Sequence, residues 1–321
     1  MVHMLFDNPD DKNSMSFLSD YKTVSFKQVY PIQQCLSTKN MMGFCQKCIK
    51  NSMNGDTIIC WYDFMGVICW WLCKIQNKKR RIIILNILLK DKDTIKNKIA
   101  RLLYKPALKA KNVTITVTSK EYGEWLNKRL GLNKKYILLH DIYHSSYAME
   151  IPAQTKKTTV FCGGRNGRDW AFLSEIARNL QDIQFNCIMS EEDYEKHKSS
   201  FGKNVYVKYD IPQDEFLRML SEAALVIMPL DTEAPAGLIA MFQAAANDKM
   251  IIASNTMSTR EYLGKDRGCL CEKNVKTWAE KIRYYIENTE EAKQCAVKFR
   301  TFLETECSEK HYAETLVQLA R

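Results

Sequence analysis

The chain predicts an α/β fold made of two doubly wound parallel sheets, and three observations carry that prediction. From residue 55 onward, short apolar runs alternate with amphipathic stretches, the signature of strands and helices taken in turn. One alternation is complete in itself. The run Ala224-Leu225-Val226-Ile227-Met228 stops at Pro229, an acidic loop leads to Gly237, a small-residue helix covers 238–246, and Met250-Ile251-Ile252-Ala253 forms a second apolar run. Strand, loop, helix and strand make the right-handed crossover of a parallel sheet. The third observation is size: 321 residues, 46% of them hydrophobic, leave room for two domains with buried cores.

Taken in order, the first fifty residues are the least patterned, with short strands expected over 2–6 and 21–26. A buried strand follows over 57–61, a helix over 64–75 and a strand over 81–89. Next come a basic helix over 94–109 and a strand over 113–118. Ser119 suits the cap of a helix over 120–130, because its hydroxyl can accept from a first-turn amide. A strand over 137–139 ends the first domain. The chain then turns polar, and the domain boundary is placed at 152/153, giving domains 1–152 and 153–321. The second domain opens on the strand 159–162, and Trp170, Leu173, Ile176, Ala177 and Leu180 share the face of one helix. Strands over 185–189 and 205–207, a helix opening near Asp214, the 224–254 crossover and helices over 275–321 complete it.

Charge is unevenly spread. Residues 1–150 hold 24 Lys/Arg against 12 Asp/Glu, whereas 151–321 hold 23 against 25. The basicity of the net +10 therefore belongs to the first half. Either these are solvated helix faces, or they form a surface held against anionic lipid. No nucleic-acid-binding motif accompanies them, so no nucleic acid is expected. The twelve cysteines sit largely inside apolar runs behind a polar, acidic start, which favours reduced thiols in the cytoplasm. Cys45 and Cys48 have metal spacing but no second pair nearby, so no metal is expected. The run 61–75 is too short to span a bilayer and contains Asp63.

Two segments carry chemistry on their own account. A strand ending in Gly163-Gly164 lets the backbone approach a ligand closely. Arg165 and Arg168, three residues apart, can grip a diphosphate through paired hydrogen bonds. The turn is neither Gly-x-Gly-x-x-Gly nor a P-loop, since Asp169 follows Arg168. The second segment is the helix opening on Ala236-Gly237-Leu238, whose free amides suit a phosphate.

The 224–263 block resembles the donor-binding segment of GT-B glycosyltransferases of the retaining, glycogen-synthase-like clan, bacterial surface polysaccharide type. The matching elements are Pro229-Leu230, Ala236-Gly237, Gln243-Ala244 and Ile251-Ile252-Ala253-Ser254. Glu233 fills the first place of the clan's Glu pair. Eight positions on stands Met241, and Gln243 is the nearest polar residue to the second place. The resemblance implies two Rossmann-like domains with an interdomain cleft, and a last helix packing back toward the N-terminal domain. It implies a UDP- or GDP-linked nucleotide sugar as donor and no cofactor.

Residue by residue, it implies that Arg165 and Arg168 stabilise the departing diphosphate and that Glu233 meets the donor sugar. Gly163, Gly164, Ala236, Gly237 and Leu238 would hold the phosphates, Gln243 the ribose, and Tyr209 and Ile211 the base. Asp63, closing a strand, would face the acceptor. The expected partners are a lipid-linked or oligosaccharide acceptor and an anionic membrane surface. The expected location is the cytoplasm, peripheral on the inner face of the membrane. A sugar-nucleotide epimerase of the same fold, or an inactive partner that keeps the fold, would share these features.

Overall fold

The computed structural model describes residues 1–9, 15–21, 24–91, 93–150 and 154–321. Its chain divides into two compact units, Met1–Ile142 with Glu309–Arg321, and Tyr143–Ser308. The expected boundary at 152/153 lies outside the described residues. The division falls earlier because Tyr143 and Tyr147 already pack on the core of the second unit, against Phe242 and its neighbours.

The first unit runs β1 (Val2–Leu5), β2 (Phe26–Val29), α1 (Thr38–Lys50), β3 (Thr57–Cys60), α2 (Asp63–Ile75) and β4 (Arg81–Ile84). It continues with α3 (Ile95–Lys109), β5 (Val113–Val117), α4 (Lys120–Leu130) and β6 (Ile137–Leu138). The six strands pair in the order β2-β1-β3-β4-β5-β6, all parallel. Ser119 caps α4, accepting from the Tyr122 amide. Two strands differ from expectation. β4 stops at Ile84 because Asn86 takes a left-handed conformation (φ 44°), with its amide on Thr116 Oγ1 at 2.7 Å and its side chain on Asp141. β2 starts at Phe26, where the expected strand ended.

In the second unit the order is β7 (Lys156–Gly163), α5 (Trp170–Arg178), β8 (Gln184–Met189), α6 (Glu191–His197), β9 (Val205–Tyr209), α7 (Gln213–Glu222) and β10 (Ala223–Met228). α8 (Leu238–Ala246), β11 (Met250–Ser254), α9 (Met257–Leu263), β12 (Cys269–Cys271), α10 (Val275–Glu287) and α11 (Thr289–Glu306) follow. The sheet order is β12-β11-β10-β7-β8-β9, again parallel throughout. Read from the β9 edge, this is the 3-2-1-4-5-6 order of a dinucleotide-binding sheet. Its strand order reverses between β7 and β10, where such sheets bind ligands at the carboxyl ends.

Each face of this sheet has its own core. Trp170, Leu173, Ile176 and Trp278 fill one side, and Phe161, Met241, Phe242 and Phe299 fill the other. α8 is buried at eight of its nine positions, which its run of Ala, Leu, Met and Phe permits. Fully burying a side chain such as Phe242 contributes about 1.5–3 kcal/mol, enough to seat the start of α8 firmly. The last helix, α12 (Glu309–Ala320), belongs to the first unit, where Tyr312, Ala313 and Leu316 pack with Met4, Phe6 and Leu139.

Candidate functional site

The reversal point of the second sheet is built from three loops tied to one another. Beyond β7, Arg168 bridges Leu230 in antiparallel fashion. The Asp169 amide donates to Pro229 O at 2.9 Å, and the Asp231 amide donates to Gly167 O at 3.0 Å. From the end of β11, Ser254 Oγ accepts the Leu230 amide at 2.8 Å. These bonds fix the turn after β7 against the loop leading to α8.

Within that frame Arg168 is buried, only 7% exposed. Its guanidinium folds back on its own turn: Nε and Nη2 donate to Gly163 O at 3.0 and 2.6 Å, and Nη1 donates to Asn166 O at 3.2 Å. Gly164, at φ 134°, makes the fold-back possible, because a Cβ there would stand 2.6 Å from Nη2. Gly237 lies on the guanidinium's other side, where a Cβ would stand 2.8 Å from Nη1. The Arg168 side chain and the start of α8 therefore meet, although 69 positions separate Arg168 from Gly237. α8 opens on Gly237 in a left-handed conformation with no side-chain cap. Its first-turn amides thus carry the positive end of the helix dipole without a local acceptor.

The electrostatics of this spot are one-sided. No carboxylate lies within ion-pair range of Arg168 among the described residues. Its contacts are two carbonyl oxygens and the Cys162 thiol, which burial pushes up to about 12. Burial also lowers the Arg168 pKa, the expected direction for a cation taken from water. A buried cation beside an uncapped helix N-terminus is costly unless an anion completes it. The arrangement can hold a phosphate or diphosphate.

The other expected residues fall as follows. Ala236 and Leu238 are buried on either side of Gly237. Glu233 is exposed and accepts the Met257 amide at 3.1 Å, capping α9. Gln243 is buried on α8 at 4% exposure. Arg165 stands on the surface and pairs with Asp210 at 2.7 Å, at the end of β9. Tyr209 stacks on Tyr194 with ring centroids 5.5 Å apart, and Ile211 packs against the α7–α8 side of the sheet.

Asp63 is in the first unit and is not on its surface. Its carboxylate is buried, accepting the Phe64 amide at 2.7 Å, the Leu88 amide at 2.9 Å and the Tyr104 hydroxyl. The structure thus brings Arg168, Gly163, Gly164, Gly237 and the start of α8 together. Arg165 and Tyr209 stand at the end of β9, and Asp63 belongs to a separate, internal cluster. Sequence reasoning missed the Arg165–Asp210 pair and the Ser254 tie. It also missed α6, though Ser190 followed by Glu191-Glu192-Asp193 is a capping signal.

All twelve cysteines are free thiols. No group of metal-ligating side chains occurs among the described residues, and no helix there is long and apolar enough to cross a membrane.

Residues 165–318 match the glycosyl transferase-like family model. Among solved structures, the chain is similar to sucrose-phosphate synthase from Thermosynechococcus elongatus, at 12% identity over 99% of this chain and 97% of that one (TM-score 0.79). It is similar to Anabaena HepE in complex with UDP-glucose, at 11% identity over 99% and 98% (TM-score 0.72). A glycosyltransferase from Rickettsia africae matches at 11% identity over 99% and 97% (TM-score 0.66). A search of curated proteins by sequence returned no match. With two parallel six-stranded sheets and these likenesses over nearly its whole length, the chain has a two-domain, Rossmann-like GT-B fold.

Proposed function

We propose that this protein is a glycosyltransferase that moves a sugar from a UDP- or GDP-linked donor to a saccharide acceptor carried on a lipid. Its setting is the inner face of the cell membrane, in the assembly of a surface polysaccharide. One observation carries the donor reading: the Arg168 guanidinium, buried with no carboxylate in ion-pair range among the described residues, beside the uncapped start of α8. The family model over residues 165–318 and the fold shared with HepE, solved with UDP-glucose, support it.

In this reading an acceptor hydroxyl attacks the anomeric carbon as the bond to the diphosphate oxygen breaks, and the hydroxyl proton leaves with the diphosphate. Arg168 and the first amides of α8 meet the charge that grows on the leaving group, typically the largest catalytic contribution. Arg165 adds a second cation at the rim, so the two arginines take the place of a metal ion and no cofactor is needed. Glu233 binds hydroxyls of the donor sugar, Gln243 the ribose, and Tyr209 with Ile211 the base. Configuration is retained, a reading supported by the resemblance of the 224–263 block to the retaining clan. Asp63, enclosed by amides and Tyr104, positions the turn after β3.

The test is thermal unfolding with UDP, GDP and their sugars, followed by nucleotide release when membrane extract is added. A true donor at 100 times its dissociation constant stabilises the protein by about 2.7 kcal/mol. Conversion of a nucleotide sugar with no acceptor present identifies an epimerase instead. Stabilisation by a donor without nucleotide release under any condition identifies an inactive partner.

A further inference from the structure

α3 is a helix with two apolar faces, and only one of them is covered. Tyr104, Ala107 and Leu108 are buried, Phe64 stacks on the Tyr104 ring, and the Trp71 indole donates to Leu103 O at 3.1 Å. These contacts fix the helix about its axis. The opposite face carries Ile95, Ile99 and Leu102 at the i, i+4, i+7 spacing of a single stripe. Their exposures are 78%, 53% and 72%, and Leu103 beside them is 42% exposed. Helical periodicity sets Lys98, Lys105 and Lys109 along one edge of this stripe and Lys96 along the other. The helix contains no Asp or Glu, and its four lysines have no acidic partner among the described residues. Scattered surface leucines need no explanation, but a fixed apolar stripe between two lysine edges does.

We infer that the outward face of α3 is a membrane-docking surface whose occupant is the headgroup layer of an anionic lipid bilayer. The stripe enters the acyl boundary while the lysines, whose stems run along apolar surface, keep their ammonium groups among the lipid phosphates. A second copy of the chain fits poorly, because pairing two stripes brings both sets of lysines together. The inference rests on the membrane-borne acceptor proposed above and names the surface that reaches it.

The full chain is tested by co-sedimentation with neutral phosphatidylcholine vesicles and with vesicles containing phosphatidylglycerol, without donor or acceptor. Wild-type protein binds the anionic vesicles and releases them as salt is raised. Replacing Ile95→Ser, Ile99→Ser and Leu102→Ser together lowers that partitioning about 100-fold. Changing Lys96→Gln, Lys98→Gln, Lys105→Gln and Lys109→Gln together lowers it at least about 100-fold and removes the preference for anionic lipid. Both variants keep the thermal stabilisation by nucleotide sugar, which shows that they fold. The proposal is overturned if wild-type protein ignores anionic vesicles or if the serine variant binds them equally well. A wild-type dimer that the serine variant dissolves overturns it too, in favour of self-association. Because donor binding is read separately, vesicle binding can fail while the donor site stands, and the reverse.

Discussion

Each unit buries one ionisable side chain where a central strand gives way to a helix, and the two are finished differently. After β3, Asp63 is enclosed by two backbone amides and the Tyr104 hydroxyl, all donors, so the acid is answered from within. After β7, Arg168 meets carbonyl oxygens and a thiol, with the positive end of α8 alongside. The first cluster is complete as a piece of scaffold. The second keeps surplus positive character, with no carboxylate in ion-pair range of Arg168 among the described residues. Burial alone therefore does not separate the two residues, since neutral groups meet both; what sets Arg168 apart is the positive end of α8 beside it.

Replacing Arg168 tests the contrast most strongly. Arg168→Met lowers kcat/KM about 1000-fold, the scale for removing a principal charge stabiliser. It leaves the melting temperature of the unliganded protein unchanged or higher, because a lone buried cation is exchanged for an apolar side chain. A melting temperature lowered by many degrees would instead make Arg168 a structural residue like Asp63.

Asp63→Ala leaves the two amides and the hydroxyl without their acceptor and costs about 3 kcal/mol in denaturant unfolding. Donor KM stays at the wild-type value. Burial raises the Asp63 pKa. Its proton-linked stability is therefore full below the usual carboxylate value and is lost as pH rises through the raised one. Asp63→Asn flattens that part of the pH–stability profile.

Gly237→Ala forces a side chain onto a backbone at φ 77° and against the Arg168 guanidinium and Met228. The conformational strain costs about 2 kcal/mol, and because the new methyl displaces the guanidinium, donor KM rises about tenfold. Arg165→Gln is the mildest. Its pair with Asp210 is exposed, so stability shifts by less than about 0.5 kcal/mol, while donor KM rises severalfold. If Arg165→Gln proved as damaging as Arg168→Met, the exposed arginine would rank with the buried one.

The alternation of strands and helices was readable because it depends on local periodicity. α8 was expected over 238–246 and spans Leu238–Ala246, and Ser119 caps α4 as its position indicates. Legibility failed where tertiary contacts override the pattern. Residues 85–89 continue an apolar run, yet Thr116 and Asp141 capture Asn86 and turn the chain out of the strand. The short edge strand β12 lies in a segment with no apolar alternation. At the site, the glycines and arginines after β7 could be singled out from the sequence. That Arg168 is buried and Arg165 exposed could not, because the difference is set by Leu230, Met228 and Gly237, far along the chain. Asp63 failed as a surface residue for a similar reason, since Leu88 and Tyr104 close over it.

The membership of α12 in the first unit bears on how the protein is made. As the chain leaves the ribosome, the half synthesised first still lacks Tyr312, Ala313 and Leu316, the wedge that fills the gap between Met4, Phe6 and Leu139. The later half has its own strands and helices in hand by Ser308. The first unit is therefore discontinuous in sequence, and its core is completed by a helix encoded after the whole of the second unit.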